Sequence, residues 1–442
     1  MTVFNSERLE TKLFQLDRKR MAEGWYSDVY FRNIARILTQ LSKEGYKFKE
    51  QDIGNIEVEM QIFPRRQPFC IVGGVDEALA ILKTATGYKD ETGKFINTAE
   101  NLDIEACYDG EKAYYKGNPH HVDPVLKIRG RYRDFSILET PILGSLTEAS
   151  RIATNVYQVM VAARGKDILF FPARFTHYKS QAMHGYAYSL GVNAYNYEYG
   201  TNTQRFISTD EQGAWWGGKG GGTISHSYVA SFLGDTAESM LQFCRLMPLE
   251  VNRIALVDFD NDCVNTSLIV LKAMFDKYLQ LKNAGDEEEA KKYKLFGVRP
   301  DNSSSLRDKS VEPLGKKELD NGVNARLVFK LRKALDNAYH DWDLQPADLK
   351  LAEQYCQEVK IIATGGFNPE KIDQFESSQV PVDIYGVGSW LLSNCSLTGT
   401  KNDFTADVVK VKVDGEWVEM AKVGRSAADN ANLKPIDLAD IN

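Results

Sequence analysis

Residues 358–372 read EVKIIATGGFNPEKI, and residues 382–392 read VDIYGVGSWLL. Each is an apolar run, then a short glycine turn, then a segment that turns helical. Strands that are apolar throughout and separated by helices lie in a parallel sheet covered on both faces. The same alternation extends towards the N-terminus through NARLVFKLRKALDNAY (324–339), KLFGVRPD (294–301), a long helix from about Thr266, and RIALVDFD (253–260). It continues through SYVASFLGDTAESMLQFCRLM (227–247), a strand candidate GVNAYNY (191–197), DILFFPAR (167–174) and the long helix TEASRIATNVYQVMVAARG (147–165). Six or seven such units predict a closed or nearly closed barrel rather than an open sheet.

The pattern differs on both sides of this region. Before Glu139 lie helices over residues 7–45, broken near Gly24. They are followed by an alternating strand IEVEMQIFP (56–64), a helix VDEALAILKTA (75–85) and short alternating segments over 101–135. After the barrel, FTADVVKVKVDGEWVEMAKV (404–423) reads as a hairpin turning at Asp414-Gly415, expected to pair with the first strands. The fold expected is therefore α/β. An irregular TIM-like barrel over 139–395 joins a smaller strand-rich α+β domain over 1–138, completed by a C-terminal hairpin and tail over 396–442.

The chain has 442 residues, enough for two domains or three. Its formal net charge is −7, which argues against a broad nucleic-acid surface but leaves room for a local basic pocket. The six cysteines lie far apart without a C-x-x-C pair, so neither a zinc ribbon nor a disulfide scaffold is indicated. No run of about 20 apolar residues could span a bilayer. The first residues, MTVFNSERLETKLFQLDRKR, lack the apolar centre of a secretory signal. A soluble cytoplasmic protein with no nucleic-acid or membrane partner is the expectation.

One stretch imitates a nucleotide-binding loop. GAWWGGKGGGTISHS (213–227) has the glycine and lysine spacing of a P-loop. It lacks the Ser or Thr that should follow the lysine, since Gly220 stands there, and it lacks the preceding buried strand and following helix. It reads instead as a glycine loop leading to GTISHS. Active sites of barrels lie at the C-terminal ends of the strands, and four places of that kind carry chemistry. FFPARF offers Phe171 and Arg174. GTISHS offers His226, with Ser225 and Ser227 beside it at a helix start. GVRPD offers Arg299 and Asp301, which on an extended segment point the same way. The paired turns at Gly365-Gly366 and Gly386-Gly388 suit a phosphate cradled by backbone N–H groups. A cationic, hydroxyl-rich mouth of this kind fits a sugar phosphate.

With these residues assembled, the chain resembles the nicotinate phosphoribosyltransferase family. The likeness runs through DVYF (28–31), FPRRQPFCIVGGVDEAL (63–79), LETPIL (138–143), FFPAR, YGTNT (199–203), GGTISHS, LVDFD (256–260), GVRPD, ATGGF and YGVGS, in the family's order. It is most similar to a compact subgroup found in archaea, without the Cys-rich tail of some of those members. The resemblance implies synthesis of nicotinate mononucleotide and pyrophosphate from nicotinate and phosphoribosyl pyrophosphate, a step of NAD biosynthesis. It also implies Mg²⁺, with unknown protein ligands, and ATP hydrolysis coupled through a phosphohistidine, here His226. It implies stacking of Phe171 on the pyridine ring and a carboxylate contact from Arg174. Ribose and pyrophosphate would be bound by Arg299, Asp301 and Asp258, and the 5′-phosphate by Gly365, Gly366, Gly386 and Gly388. It further implies a homodimer in which Asp28 and Tyr30 enter the neighbour's site. This chain departs from the family at Pro172 and Phe175, where F-G-x-R-R is usual, and at DNSS (301–304), where D-S-G-D is usual. Asn202 stands in GTNT where amide-using relatives carry Asp; it both donates and accepts. Nicotinamide or quinolinate transfer, and a non-catalytic metabolite-binding relative, remain the alternatives.

Overall fold

The computed structural model describes residues 7–441. The N-terminal part contributes α1 (Val29–Glu44), β1 (Glu57–Pro64), α2 (Val75–Ala85), β2 (Asp103–Ala106) and β3 (Leu126–Arg131). Next come α3 (Glu139–Ala162), β4 (Asp167–Phe170), α4 (Gln181–Tyr199), β5 (Arg205–Ile207), α5 (His226–Ser231), α6 (Thr236–Leu246) and β6 (Ile254–Leu256). They are followed by α7 (Cys263–Asn283), β7 (Gly297–Arg299), α8 (Ala325–Asn337), β8 (Lys360–Ala363), α9 (Pro369–Ser377) and β9 (Ile384–Val387). The last strands are β10 (Phe404–Val413), β11 (Glu416–Glu419) and β12 (Lys434–Ile436).

Two six-stranded sheets organise these elements. One is antiparallel, in the order β11-β10-β1-β3-β2-β12, so strands from the C-terminal segment complete both edges of an N-terminal sheet. The other is parallel, in the order β5-β4-β9-β8-β7-β6. Its edge strands β5 and β6 do not pair, so the sheet curls into a half-barrel with an open seam rather than closing.

The two-residue period of a strand divides the parallel sheet cleanly. Ile168, Phe170, Ile361, Ala363, Tyr385 and Val387 pack into the main core beneath the helices. Their neighbours Leu169, Ile254, Ile362 and Ile384 form a separate apolar cluster inside the curl, flanked by Phe171, Phe206 and Phe296. A second large core lies under the antiparallel sheet. Helix α3 serves both: Ile142 and Leu146 belong to the second core, whereas Ala149, Ile152 and Val156 belong to the first. One rigid helix of 24 residues therefore joins the two layers.

Burial of Arg253 anchors β6. Its guanidinium donates to the carbonyls of Pro248 (2.8 Å) and Met247 (2.9 Å), and its Nε to that of Lys292 (2.8 Å). The cation thus caps carbonyl groups that follow α6, where the helix dipole favours positive charge.

Two sequence expectations are corrected. GVNAYNY lies within α4 rather than in a strand, because its neighbours on both sides continue a buried helix. The segment after His226 is two helices, since Leu233 and Gly234 both have positive φ (58° and 88°) and break the run. The expected irregular α/β barrel beside a strand-rich domain is present, as a curled six-stranded parallel sheet with an open seam. The glycine stretch runs along that seam: Gly220 bridges to Ile207 of β5, and a Cβ on Gly213 would meet the carbonyl oxygen of Gly218 at 1.9 Å. It is a compact turn packed on a strand edge, unlike a P-loop.

Helices α3 and α4 pack closely through Gly191. A Cβ there would meet Ala153 O at 2.5 Å and Val156 Cβ at 2.7 Å. Helix propensity alone favours Ala over Gly by about 1 kcal/mol, but overpacking costs about 1–3 kcal/mol, and here the obstacle is backbone. Gly191→Ala is therefore expected to lower Tm in calorimetry; a raised Tm would show that the helices separate freely.

Candidate active site

The lumen-facing parity of the strands continues past their C-terminal ends. Phe171 follows Leu169, Thr364 follows Ile362, Gly386 follows Ile384, and Arg299 and Asp301 follow Gly297. A Cβ on Gly386 would lie 2.5 Å from Thr364 Cγ2 and 3.3 Å from the Phe171 ring. Phe171, Gly386 and Thr364 are thus one packed layer, possible only because residue 386 has no side chain.

Thr364 passes the layer on to charged groups. Its hydroxyl donates to Asp301 Oδ1 at 2.6 Å. Arg299 Nη1 lies 3.4 Å from both Asp301 Oδ2 and Thr364 Oγ1, and Nη2 donates to Ile224 O at 3.2 Å. Arg299 Nε is buried without an acceptor among the described residues. Burial lowers its guanidinium from the usual value, while Asp301 and Asp258 oppose this; a guanidinium remains cationic throughout. Two residues beyond Ile224, His226 opens α5, with Ser225 capping the helix by accepting from Tyr228 N.

His226 Nε2 lies 3.0 Å from Asp258 Oδ2 and 3.1 Å from Oδ1. A carboxylate accepts only, so in the neutral imidazole this contact places the proton on Nε2 and leaves the Nδ1 lone pair open. The Asp258 side chain is largely buried and that of His226 is half exposed. Burial pushes the Asp258 carboxyl above its usual range, the His226 hydrogen bond pulls it back, and Asp301 adds repulsion.

The glycine turn after β8 completes this wall. Gly365 and Gly366 have φ of 96° and 71°. The backbone N–H groups of Gly366, Phe367 and Asn368 find no acceptor among the described residues. Beyond β9, Phe175 packs on Gly388, 3.0 Å from where a Cβ would stand. Arg174 is exposed, its guanidinium carbon 5.2 Å from the centre of the Phe175 ring. Behind Phe171 the lumen holds an apolar cavity of about 680 Å³, lined by Leu169, Phe206, Ile254 and Phe296, with Arg205 and Lys219 also on its wall.

The structure thus gathers Phe171, His226, Asp258, Arg299, Asp301, Gly365 and Gly386 through direct contacts, with Arg174, Gly366 and Gly388 on the same strand-end loops. It does not gather Asn202. That residue precedes β5, and the following Gln204 N donates to Asp167 at the start of β4. Asn202 therefore sits at the opposite end of the sheet, because YGTNT comes before a strand rather than after one. The C-terminal end of β5 instead carries Ser208, Thr209 and Asp210, and Asp210 accepts from Gly220 N. Asp28 and Tyr30 begin α1 on the other domain. Asp28 N donates to Thr140 Oγ1 (3.1 Å), and Tyr30 is exposed.

Sequence reading missed Thr364 and Ser208–Asp210. The first is a small polar residue hidden in ATGG. The second follows a strand of only three residues, too short for periodicity to reveal.

Comparisons with known proteins bear on the fold. Residues 28–150 match the quinolinate phosphoribosyl transferase N-terminal domain family. The structure is similar to nicotinate-nucleotide pyrophosphorylase from Pyrococcus furiosus, with TM-score 0.64 and 22% identity over 96% of this chain and 92% of that one. It is also similar to human nicotinic acid phosphoribosyltransferase, with TM-score 0.55 and 14% identity over 87% of this chain and 74% of that one. The chain has their fold. No curated relative matches it by sequence. In this phosphoribosyltransferase fold the set described above occupies the strand-end face, where barrels of this type place their sites.

Replacing His226 by Ala removes the group that lowers the Asp258 pKa while leaving burial in place. The Asp258 carboxyl should then titrate at higher pH than in the unaltered protein, as read by site-resolved carboxyl NMR. An unchanged or lower midpoint would dismiss the His226–Asp258 coupling.

Proposed function

We propose that this chain transfers a phosphoribosyl group from phosphoribosyl pyrophosphate to nicotinate, giving nicotinate mononucleotide and pyrophosphate in NAD biosynthesis. The observation that carries the reading is the continuous wall from Phe171 through Gly386 and Thr364 to Asp301 and Arg299. It sets an aromatic face beside a carboxylate, a buried guanidinium and a phosphate-sized glycine turn. The similar structure named above is called a nicotinate-nucleotide pyrophosphorylase, which supports phosphoribosyl chemistry at a pyridine nucleotide.

In the forward direction the pyridine nitrogen attacks ribose C1, and the C1–O bond to pyrophosphate breaks with its electron pair leaving on pyrophosphate. The pyridine nitrogen is unprotonated at neutral pH, so no general base is needed. Orientation and charge stabilisation supply the rate. Phe171 seats the ring, and Arg174 meets its carboxylate. Asp301 accepts from ribose hydroxyls and faces the positive charge developing at C1. Arg299 offers its free Nε–H to the departing oxygens.

Mg²⁺ fits as a cation held mainly by substrate oxygens. Asp258 and Asp301 are the carboxylates available, and no group of three His, Cys, Asp or Glu among the described residues forms a cage. When bound, it supplies charge neutralisation of pyrophosphate.

His226 is the ATP-coupling residue in this reading. Its Nδ1 attacks the γ-phosphorus, ADP leaves, and Asp258 stabilises the imidazolium through Nε2–H. Hydrolysis of the phosphohistidine then returns the ring and releases phosphate. His226→Ala should abolish nicotinate-dependent ATP hydrolysis while leaving slower ATP-independent transfer; persistent hydrolysis refutes the role.

A quinolinate-using enzyme is the second reading, favoured by the matched N-terminal domain and by Arg205 and Lys219 on the lumen wall. Pyrophosphate release measured with nicotinate, nicotinamide and quinolinate in turn decides between them. Nicotinate should give the highest kcat/KM, and quinolinate turnover with release of CO₂ would overturn the first reading.

The site is completed by a second copy. Trp25, Tyr26, Val29 and Tyr30 expose apolar surface at the start of α1. A symmetric dimer would bring Tyr30 and Asp28 to the partner's ring seat. Tyr30→Ala and His226→Ala, each inactive in ATP-coupled turnover, should regain part of that turnover when mixed under conditions of demonstrated subunit exchange. No recovery after exchange would mean that each site is built within one chain.

A further inference from the structure

The chain departs from its resemblance at DNSS (301–304), where Asn302 follows the site carboxylate Asp301. The structure gives that asparagine a definite place. It is 3% exposed, and Cys263 and Asp308 beside it are fully buried. Asn302 Nδ2 donates to Asp308 Oδ2 at 3.0 Å and to Asn261 Oδ1 at 3.1 Å, and its Oδ1 accepts from Cys263 Sγ at 3.0 Å. Burial pushes the Cys263 thiol well above its usual range, so it is present as the donor.

Each partner is itself fixed. Asp308 also accepts from Cys263 N at 3.0 Å and from Ser310 N and Oγ at 2.9 and 2.5 Å. Burial alone would raise its carboxyl, but the bonds from Ser310 and Cys263 outweigh burial and hold it below its usual range. Asp308 is therefore an ionised acceptor, and it needs a donor opposite. Asn261 has φ of 53°, a left-handed conformation that asparagine tolerates. Its N–H closes the turn that begins at Asp258, donating to Asp258 O at 2.9 Å, and its Nδ2 donates to Arg307 O at 2.7 Å.

These contacts tie two loops together. The ladder between β6 and β7 ends with Val257 N donating to Arg299 O at 3.3 Å. Asp258 and Asp301 stand just beyond that rung, on separate loops, and their like charges repel. Asn302 adjoins one of them and is bonded to the turn that carries the other. The position calls for two donors and an acceptor on one short side chain, which an amide provides. An aspartate would set a second carboxylate against Asp308, and a serine has a single donor.

We infer that Asn302 is a positioning residue: backed by Asp308, it holds Asp301 at a fixed separation from Asp258 and thereby sets the rate of the chemical step from behind the site. The effect on rate rests on the phosphoribosyl reading above, whereas the linkage of the two loops does not.

The test compares the unaltered full chain with Asn302→Leu, Asn302→Ser, Asp308→Asn and the double variant Asn302→Leu/Asp308→Asn. Gly191→Ala, which loosens helix packing elsewhere, serves as a destabilised control. In steady state, kcat should fall at least about tenfold in Asn302→Leu and in Asp308→Asn, as expected when a reacting group is displaced. KM for nicotinate should hold. Asn302→Ser should recover part of the rate, and the double variant should be no slower than the slower single one, because the pair acts as a unit. Gly191→Ala should keep its kcat. Without substrate, the Asp258 carboxyl carbon resonance should move in Asn302→Leu and in Asp308→Asn, although neither residue adjoins Asp258 in sequence. Should Asn302→Leu fail to fold, Asn302→Ser and Asp308→Asn carry the same comparison.

An unmoved Asp258 resonance would overturn the inference. So would an unchanged kcat, or an equal loss of kcat in Gly191→Ala, which would point to general loosening. A shifted Asp258 resonance in a protein whose unaltered form transfers to no pyridine carboxylate would support the linkage of the two carboxylates and overturn the proposed reaction instead, which separates the two.

Discussion

The contact on which the site depends is that between Gly386, Thr364 and Phe171. Three neighbouring parallel strands present these residues to the same lumen, and only a missing side chain at Gly386 lets Thr364 and Phe171 both pack against the middle strand. The packing fixes the Phe171 ring against β9. It also fixes the Thr364 hydroxyl within reach of Asp301, and through Asp301 the position of Arg299. An aromatic surface and a charged surface are thereby held in register by strand geometry rather than by loops. Sites carried on rigid elements in this way keep their spacing without any ordering step on binding.

The charged groups of this face share one physical condition. Asp258, Arg299 and Lys371 are each removed from water, and each is shifted towards its neutral form by burial. Their compensation differs. Asp258 has His226, Arg299 has Asp301, and Lys371 has the Phe367 and Phe375 rings and one weak carbonyl contact. In a low-dielectric pocket a poorly compensated charge is a strong attractor for the complementary ligand. The arrangement also lies beside an apolar lumen, so a ring and a polyanion can be received on adjoining surfaces.

The open seam distinguishes this half-barrel from a closed one. With β5 and β6 unpaired, the glycine segment and the cavity behind it face one another across the gap. Gly213 and Gly220 are there because backbone approaches them within less than a side chain's radius. The abundance of glycine, which by sequence suggests mobility, belongs here to close packing. Support for the whole comes from α3, whose two halves enter the two cores, and from β10, which returns from near the end of the chain to pair with β1.

The sequence by itself determined the alternation of apolar strands and helices, the antiparallel partner of the first strand, and the strand-end motifs. Each of these is written in local periodicity and turn chemistry, and a period of 2 or 3.6 survives in one dimension. Arg299 and Asp301 were legible as a same-side pair for that reason. Only the tertiary structure decided the rest. GVNAYNY is helical because flanking turns of α4 recruit it into the core, and Asn202 lies at the far end of the sheet because strand direction, not motif likeness, fixes which end a loop occupies. Thr364 and Lys371 were invisible because their significance comes from neighbours more than 60 residues away, or from what a turn leaves unbonded. Desolvation and partnering are properties of assembled surroundings, and no spacing rule along the chain encodes them.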